Sequence, residues 1–427
     1  MRRDLRMPFT VLATSTSVVL VVVACASSEE PAAPLNDDAS VAIATDASHD
    51  DSSLVVDDSG STADAGLDVD AAPPVCTTEG WCHTVVPRGQ TFVDVWGDGT
   101  GKVWAISQGQ SSGEGKIFFW DGAAWTLSYA ATADLYALWG NSPTDLWVGT
   151  SKGLLHGTGP SATAITWTEA TLPVVNGTNL YVRSIWGSGP NDTWAVGARI
   201  GAGSPTYVLH RSGPAADPDA GTTEWVIDTS PELSSVSPLT IWGSSSDDVW
   251  LNAEYNDASG VKGRLLRRRP DGTGTNAWRV STDLPEVNSW FTGQALGKNF
   301  ALINSASGYG NVTGFDLGVS NDDGDHFTWR HLTLDTLPYS AFKKASVVWA
   351  SGPNDIWAIA TTAVGSTWLV QLKDPETSSW RVASISLSDA VPVTRKMNAI
   401  WGSGPNDIWV VGNELALHKV DPSKGAP

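Results

Sequence analysis

The sequence predicts an all-β fold, a seven-bladed β-propeller whose last blade is closed by an N-terminal strand. Three observations carry the prediction. A nine-residue string recurs: Trp401 to Trp409 reads WGSGPNDIW, Trp186 to Trp194 WGSGPNDTW, Trp349 to Trp357 WASGPNDIW, Trp242 to Trp250 WGSSSDDVW, Trp139 to Trp147 WGNSPTDLW and Trp96 to Trp104 WGDGTGKVW, always with two indoles eight residues apart. With a degenerate copy at Trp290, where Phe300 stands in for the second Trp after two extra residues, successive first indoles are separated by 43, 47, 56, 48, 59 and 52 residues. Units of that length built of four short strands are the propeller pattern. Finally, 22 Trp against 9 Phe and 7 Tyr, with 42 Gly and 24 Pro, disfavour a helical bundle and favour short strands with frequent turns.

Ahead of the repeats stand two other segments. Arg2, Arg3 and Arg6 precede a short apolar run, Val11 to Ala24, that ends at Cys25. The run is shorter than the roughly 20 residues that span a bilayer, and it reads as a signal peptide over residues 1–24. The string Val22-Val23-Ala24-Cys25 resembles a bacterial lipoprotein signal. That resemblance implies cleavage before Cys25, lipidation of its thiol and anchorage to a membrane. Ala26 is not Asp, so the usual inner-membrane retention signal is absent and the outer membrane is expected. Residues 26–74 hold twelve acidic side chains, no Lys or Arg and no aromatic, so with Cys25 they form an acidic tether too polar to build a core. Of the net −20, the tether accounts for −12 and the signal for +2, which leaves −10 on residues 75–427. That balance argues against nucleic acid as a partner.

Within each unit the strands follow in order. Strand a is apolar and ends at the first Trp, as in Met397-Asn398-Ala399-Ile400-Trp401. The Ser-Gly-Pro-Asn-Asp segment is turn chemistry. Strand b carries the second Trp. Strand c is a further apolar run, such as Leu415-Ala416-Leu417-His418, and strand d is marked by Trp125, Trp167, Trp225, Trp278, Trp329 or Trp380. The last unit stops after strand c, whereas a spare Trp81 strand precedes the first. Joining the two removes the open sheet edges. The paired indoles (Trp96, Trp104, Trp139, Trp147, Trp186, Trp194, Trp242, Trp250, Trp349, Trp357, Trp401 and Trp409) are assigned to packing between blades rather than to ligand stacking. Cys76 and Cys82 flank the closing strand, and outside the cytoplasm they are expected to pair. The alternative is that the strand between them holds their Cα atoms too far apart to bridge.

The motifs of catalysis are absent: no HExxH, GxSxG, P-loop or multi-Cys zinc string occurs. His156, His210 and His418 occupy equivalent places in three blades, which reads as a repeated strand position and no metal site. No cofactor is expected. Ser320 to Phe327 resembles the Asp-box, a hairpin motif of sialidases and other propellers with a structural role, and the resemblance covers eight residues. Recognition is expected on the variable b–c loops, with Arg199, Tyr255, Asp257 and Tyr309 as candidate binding residues.

From Trp81 onward the chain resembles the Trp-rich WGSGPNDxW-repeat propeller lipoproteins of myxobacterial type. The resemblance implies architecture and no activity. The expected function is a lipid-anchored, monomeric envelope module that binds protein or glycan without catalysis. The alternatives are a propeller glycosidase or lyase, and a periplasmic assembly scaffold or adhesin-like propeller.

Overall fold

The computed structural model describes residues 75–424, apart from 110–112, 200–204, 214–223, 259, 272, 283–292, 304–313, 335–341, 363 and 388–392. Cys25, Trp290 and Tyr309 lie outside the described residues. Every sheet is antiparallel, and seven sheets form the blades of a seven-bladed β-propeller.

The chain enters through β1 (Val75–Cys76) and β2 (Trp81–Thr84). Blade 1 follows as β3 (Thr91–Gly97), β4 (Val103–Gln108), β5 (Lys116–Trp120) and β6 (Trp125–Ala130). Blade 2 is β7 (Leu135–Ser142), β8 (Asp145–Thr150), β9 (Gly153–Thr158) and β10 (Thr166–Glu169). Blade 3 is β11 (Tyr181–Gly189), β12 (Asp192–Ala198), β13 (Thr206–Ser212) and β14 (Val226–Ile227). Blade 4 is β15 (Ser237–Ser245), β16 (Asp248–Asp257), β17 (Gly260–Pro270) and β18 (Asn276–Val280). Blade 5 is β19 (Gly293–Ala295), β20 (Phe300–Ile303), β21 (Gly314–Val319) and β22 (Thr328–Thr333). Blade 6 is β23 (Phe342–Gly352), β24 (Asp355–Thr362), β25 (Thr367–Asp374) and β26 (Ser379–Val382). Blade 7 begins with β27 (Met397–Gly404), β28 (Asp407–Gly412) and β29 (Leu415–Lys419). Strand β2 completes blade 7 by pairing with β29, Trp81 opposite Lys419 and Cys82 opposite His418.

The two indoles of each string face each other across the a–b hairpin, as Trp186 faces Trp194 and Trp401 faces Trp409. They then serve different contacts. The second indole is buried and meets the strand-d indole of the following blade edge-on, which suits the quadrupole of aromatic rings. Trp104 meets Trp167 at 6.1 Å, Trp147 meets Trp225 at 5.2 Å, Trp194 meets Trp278 at 5.8 Å, Trp357 meets Trp81 at 5.3 Å and Trp409 meets Trp125 at 5.6 Å. The interplanar angles run from 75° to 89°. The first indole instead lies on a glycine of the next blade. A Cβ on Gly97, Gly140, Gly187, Gly243 or Gly402 would stand 2.5 to 2.7 Å from the nearest atom of Trp401, Trp96, Trp139, Trp186 or Trp349 respectively. The glycine of the Trp-Gly dipeptide therefore admits its neighbour's ring. Trp242, the remaining first indole, lies against Gly293.

Two readings of the sequence are corrected. In blade 5 the a–b turn is shortened, not lengthened. Leu296 takes the first-indole register, its N–H bonded to the Phe300 carbonyl at 3.1 Å, and the turn is Gly297-Lys298-Asn299 with Gly297 at φ +67°. A glycine in the left-handed region permits this tight turn, and an apolar residue that could face Phe300 set the register. In the same blade Phe327, not Trp329, makes the strand-d contact, meeting Trp250 at 5.4 Å and 76°. Second, Cys76 and Cys82 do not flank the closing strand. Cys82 is in β2, Cys76 is its cross-strand partner in β1, and the two are disulfide-bonded. The closing sheet therefore has five strands, ordered β1-β2-β29-β28-β27.

Candidate functional site

The two ends of the propeller differ in how their polar groups are used. At the a–b end, the last Asp of the turn reaches the strand-c residue that pairs with the second indole. His156 Nε2 donates to Asp145 at 2.8 Å, His210 to Asp192 at 2.8 Å and His418 to Asp407 at 2.9 Å. Each imidazole also stacks on its indole, with centroid distances of 3.8, 3.6 and 4.2 Å for Trp147, Trp194 and Trp409. In blade 4 Arg267 fills the place and donates to Asp248 at 2.5 Å over the Trp250 ring; in blade 6 Gln371 donates to Asp355 at 3.2 Å. A turn serine adds a second donor, Ser188 to Asp192, Ser351 to Asp355 and Ser403 to Asp407. Blades 1 and 5 carry Lys102 and Lys298 where the others have Asp, and there the strand-c partners are apolar, Phe119 and Val319. Donor and acceptor thus come and go together along one chain. Burial pushes the Asp192 and Asp407 carboxyls up, but hydrogen bonds from His210 and Ser188, and from His418 and Ser403, outweigh it and hold both below the usual carboxylate range. Among the described residues no three His, Cys, Asp or Glu side chains are grouped to hold a metal ion.

The opposite end carries the b–c and d–a connections. Strand a bears a β-bulge three residues before the first-indole position in the six blades that keep that Trp, at Val93, Tyr136, Arg183, Leu239, Ser346 and Asn398. Such bulges re-aim side chains beside functional regions. Two of them gather a polar cluster near the axis across blades 2 to 4. Tyr136 meets Tyr181 edge-on at 6.0 Å, and Arg183 donates to the Pro238 carbonyl at 2.6 Å. Burial lowers the Arg183 pKa, while Tyr181 and Glu254 act to raise it. Burial, Asp134 and Tyr181 together raise that of Tyr136.

On the same end, a cavity of 260 Å³ lies between blades 1 and 2 and the connection into blade 3. Leu154, Leu155, Leu172 and Leu180 make its apolar floor, Tyr129 one wall, and Thr132, Lys152, Glu169 and Asn179 its polar rim. Lys152 Nζ stands 3.5 Å from Thr132 Oγ1. The Glu169 and Asn179 side chains are exposed and have no partner among the described residues. An apolar floor with a few convergent polar groups is the form of a small-ligand site.

The sequence-derived candidates fall near this end but do not converge. Arg199 is half-buried after β12, Tyr255 lies in β16 with the Arg264 guanidinium 3.7 Å from its ring centroid, and Asp257 is exposed at the tip of β16. None of the three lines the blade 1–2 cavity. That cavity was missed because its residues share no motif. The connection from β10 to β11 is eleven residues long against four from β6 to β7, but those into blades 5 and 7 are longer still, so length did not single it out either. Ser320 to Phe327 forms the c–d turn of blade 5, where Ser320 Oγ bonds Asp322 at 2.7 Å and accepts the Gly324 N–H at 2.9 Å.

No protein-family model matches the chain, and no curated protein matches it. Among solved structures, the extracellular domain of a protein named as a hybrid two component system from B. thetaiotaomicron aligns with a TM-score of 0.51 and 13% identity. The alignment covers 83% of this chain but 42% of that one. A PL25 ulvan lyase aligns at TM-score 0.46 and 9% identity over 76% of this chain and 98% of that one. The Aleuria aurantia lectin aligns at 0.40 and 13% over 73% and 99%. At these identities the likeness is one of fold.

Proposed function

We propose that this chain is a non-catalytic recognition module of the cell envelope, which takes a protein or glycan ligand on its b–c/d–a end. One observation carries the reading. The turn aspartates of the a–b end are taken up by their strand-c partners, whereas the blade 1–2 cavity keeps Glu169 and Asn179 unspent above an apolar floor. A rigid scaffold presenting unspent polar groups at its variable end is suited to binding. In this reading the Cys25 thiol is lipidated, the acidic tether spaces a monomeric propeller from the outer membrane, and the chain is a Trp-rich repeat lipoprotein of myxobacterial type.

The Tyr136, Tyr181, Arg183 and Glu254 cluster favours a second reading, a glycosidase or lyase working at the axis. One experiment separates the two. A glycan-array screen and a pull-down with the full-length protein are expected to return a ligand whose affinity falls about five- to tenfold in Glu169→Ala, the loss of one hydrogen bond. Turnover of a glycosidic substrate that disappears in Glu254→Gln would establish the second reading instead.

A further inference from the structure

Blade 4 concentrates cationic side chains in an otherwise acidic propeller: Arg264, Arg267, Arg268 and Arg269 on β17 and Arg279 on β18. Arg267, Arg269 and Arg279 line one cavity of 180 Å³ between blades 4 and 5, with Ser281, His326 and Phe327 among its other walls. Two of the three guanidiniums are fully engaged. Arg267 is buried, donates to Asp248 and to the Gly324 carbonyl, and stacks over Trp250 at 4.4 Å. Arg269 pairs with Asp325 at 2.7 Å and also donates to the Gly324 carbonyl.

Arg279 is different. It is exposed, and it has no ion pair or hydrogen bond among the described residues. It is also the direct cross-strand partner of Arg267, a like-charge pairing that costs stability. The equivalent places in other blades avoid that cost. His156 faces Thr168, His210 faces Val226 and His418 faces Cys82. In blade 6 the strand-d residue is again an arginine, Arg381, but it faces Gln371 and is paired with Glu79 at 2.5 Å. The Asp271 carboxylate, which Arg279 helps to hold down, is already taken up at the c–d turn by the Thr273 hydroxyl and the backbone N–H groups of Thr273 and Thr275.

We infer that the cavity between blades 4 and 5 is an oxyanion site, in which Arg279 receives a carboxylate, sulfate or phosphate group of an acidic ligand. Arg267 and Arg269, their charges balanced by Asp248 and Asp325, supply a rigid wall, and the exposed fork of Arg279 supplies the uncompensated charge and the bidentate geometry that oxyanions take. The site is independent of the blade 1–2 cavity and would add a charged group to what the propeller selects.

The test is thermal unfolding of the full-length protein titrated with glucuronate, sulfate or inorganic phosphate at constant ionic strength, with chloride as background. A saturable rise in Tm with at least one of the three is expected, shifted to about tenfold higher concentration or lost in Arg279→Gln. Arg88→Gln, which removes the same charge outside the cavity, should keep the response. The anion that acts at the lowest concentration names the source as a carboxylated, sulfated or phosphorylated ligand. Without anion, Arg279→Gln should melt no lower than the parent, because it relieves the pairing with Arg267. A response to none of the three anions, or one that survives Arg279→Gln unchanged, would overturn the inference.

Discussion

Two kinds of half-buried aspartate give the protein opposite responses to pH. Asp94 in β3 accepts the N–H of Leu138, in the next blade, at 2.8 Å and that of Val95 at 2.9 Å. Burial nonetheless dominates and pushes its carboxyl up to about 6. Its folded pKa lies above the unfolded value, so the folded state binds the extra proton between about pH 4 and 6, and stability from this group falls as pH rises through that window. The span corresponds to at most about 3 kcal/mol. Asp94→Asn keeps one acceptor oxygen of two, so it should melt below the parent at pH 4, with the gap narrowing by pH 7. Differential scanning calorimetry across that range reads the convergence. Asp192 and Asp407 run the other way. Their folded pKa values are depressed, so their stabilisation is present above the unfolded value and is lost as pH falls below it. Asp407→Ala should cost about 1–3 kcal/mol in denaturant unfolding at pH 7, by leaving His418 and Ser403 without their acceptor. These pairings could not be read from the string WGSGPNDIW alone. The Asp was seen as turn chemistry, and its partner sits eleven residues away in His418 on another strand.

At the scale of the strand, the repeat unit was legible because its periodic residues are those that touch neighbouring blades. The Trp-Gly dipeptide is one such contact, since the ring of one blade fills the space where a Cβ of the next would be. Gly187→Ala should therefore cost about 1–3 kcal/mol through overpacking against Trp139, whereas Gly189→Ala, with open space about its Cβ position, should change stability little. Equal losses at both positions in urea unfolding would refute the packing role. Blade 5 was misread at this scale for a physical reason. Register is chosen by apolar pairing and turn geometry rather than by residue type, so Leu296 before a left-handed Gly297 displaces the nearest indole as the pairing partner of Phe300. The strand-a bulges were likewise invisible, because the bulged residues Val93, Tyr136, Arg183, Leu239, Ser346 and Asn398 share no chemistry. What recurs is their distance from the first-indole position.

For the whole molecule, closure depends on a strand from one terminus and three from the other. Trp81 is the strand-d indole of that composite blade, fully buried against Trp357, and its NH and ring face no solvent. Trp81→Ala should lower stability by about 3–5 kcal/mol, and deletion of residues 75–84 should lower it further by reopening a sheet edge. An unchanged melting temperature would contradict closure by β2. The cavity and the axial cluster, unlike the closure, were beyond the reach of periodicity. They are assembled from connections of unequal length in different blades, where no residue is repeated.

The composite blade also decides how the molecule would carry a mechanical load. A pull applied at Val75 is not borne by the two-residue ladder between β1 and β2, because the Cys76 to Cys82 disulfide passes it covalently into the middle of β2. The first noncovalent resistance is the four-pair ladder from β2 to β29, which ties the entering strand to the last strand of the chain. Force applied at Val75 is thus handed first to the C-terminal hairpin through the β2–β29 ladder. In single-molecule pulling, Cys76→Ser should add a weak early step as β1 peels away, followed by the same main rupture.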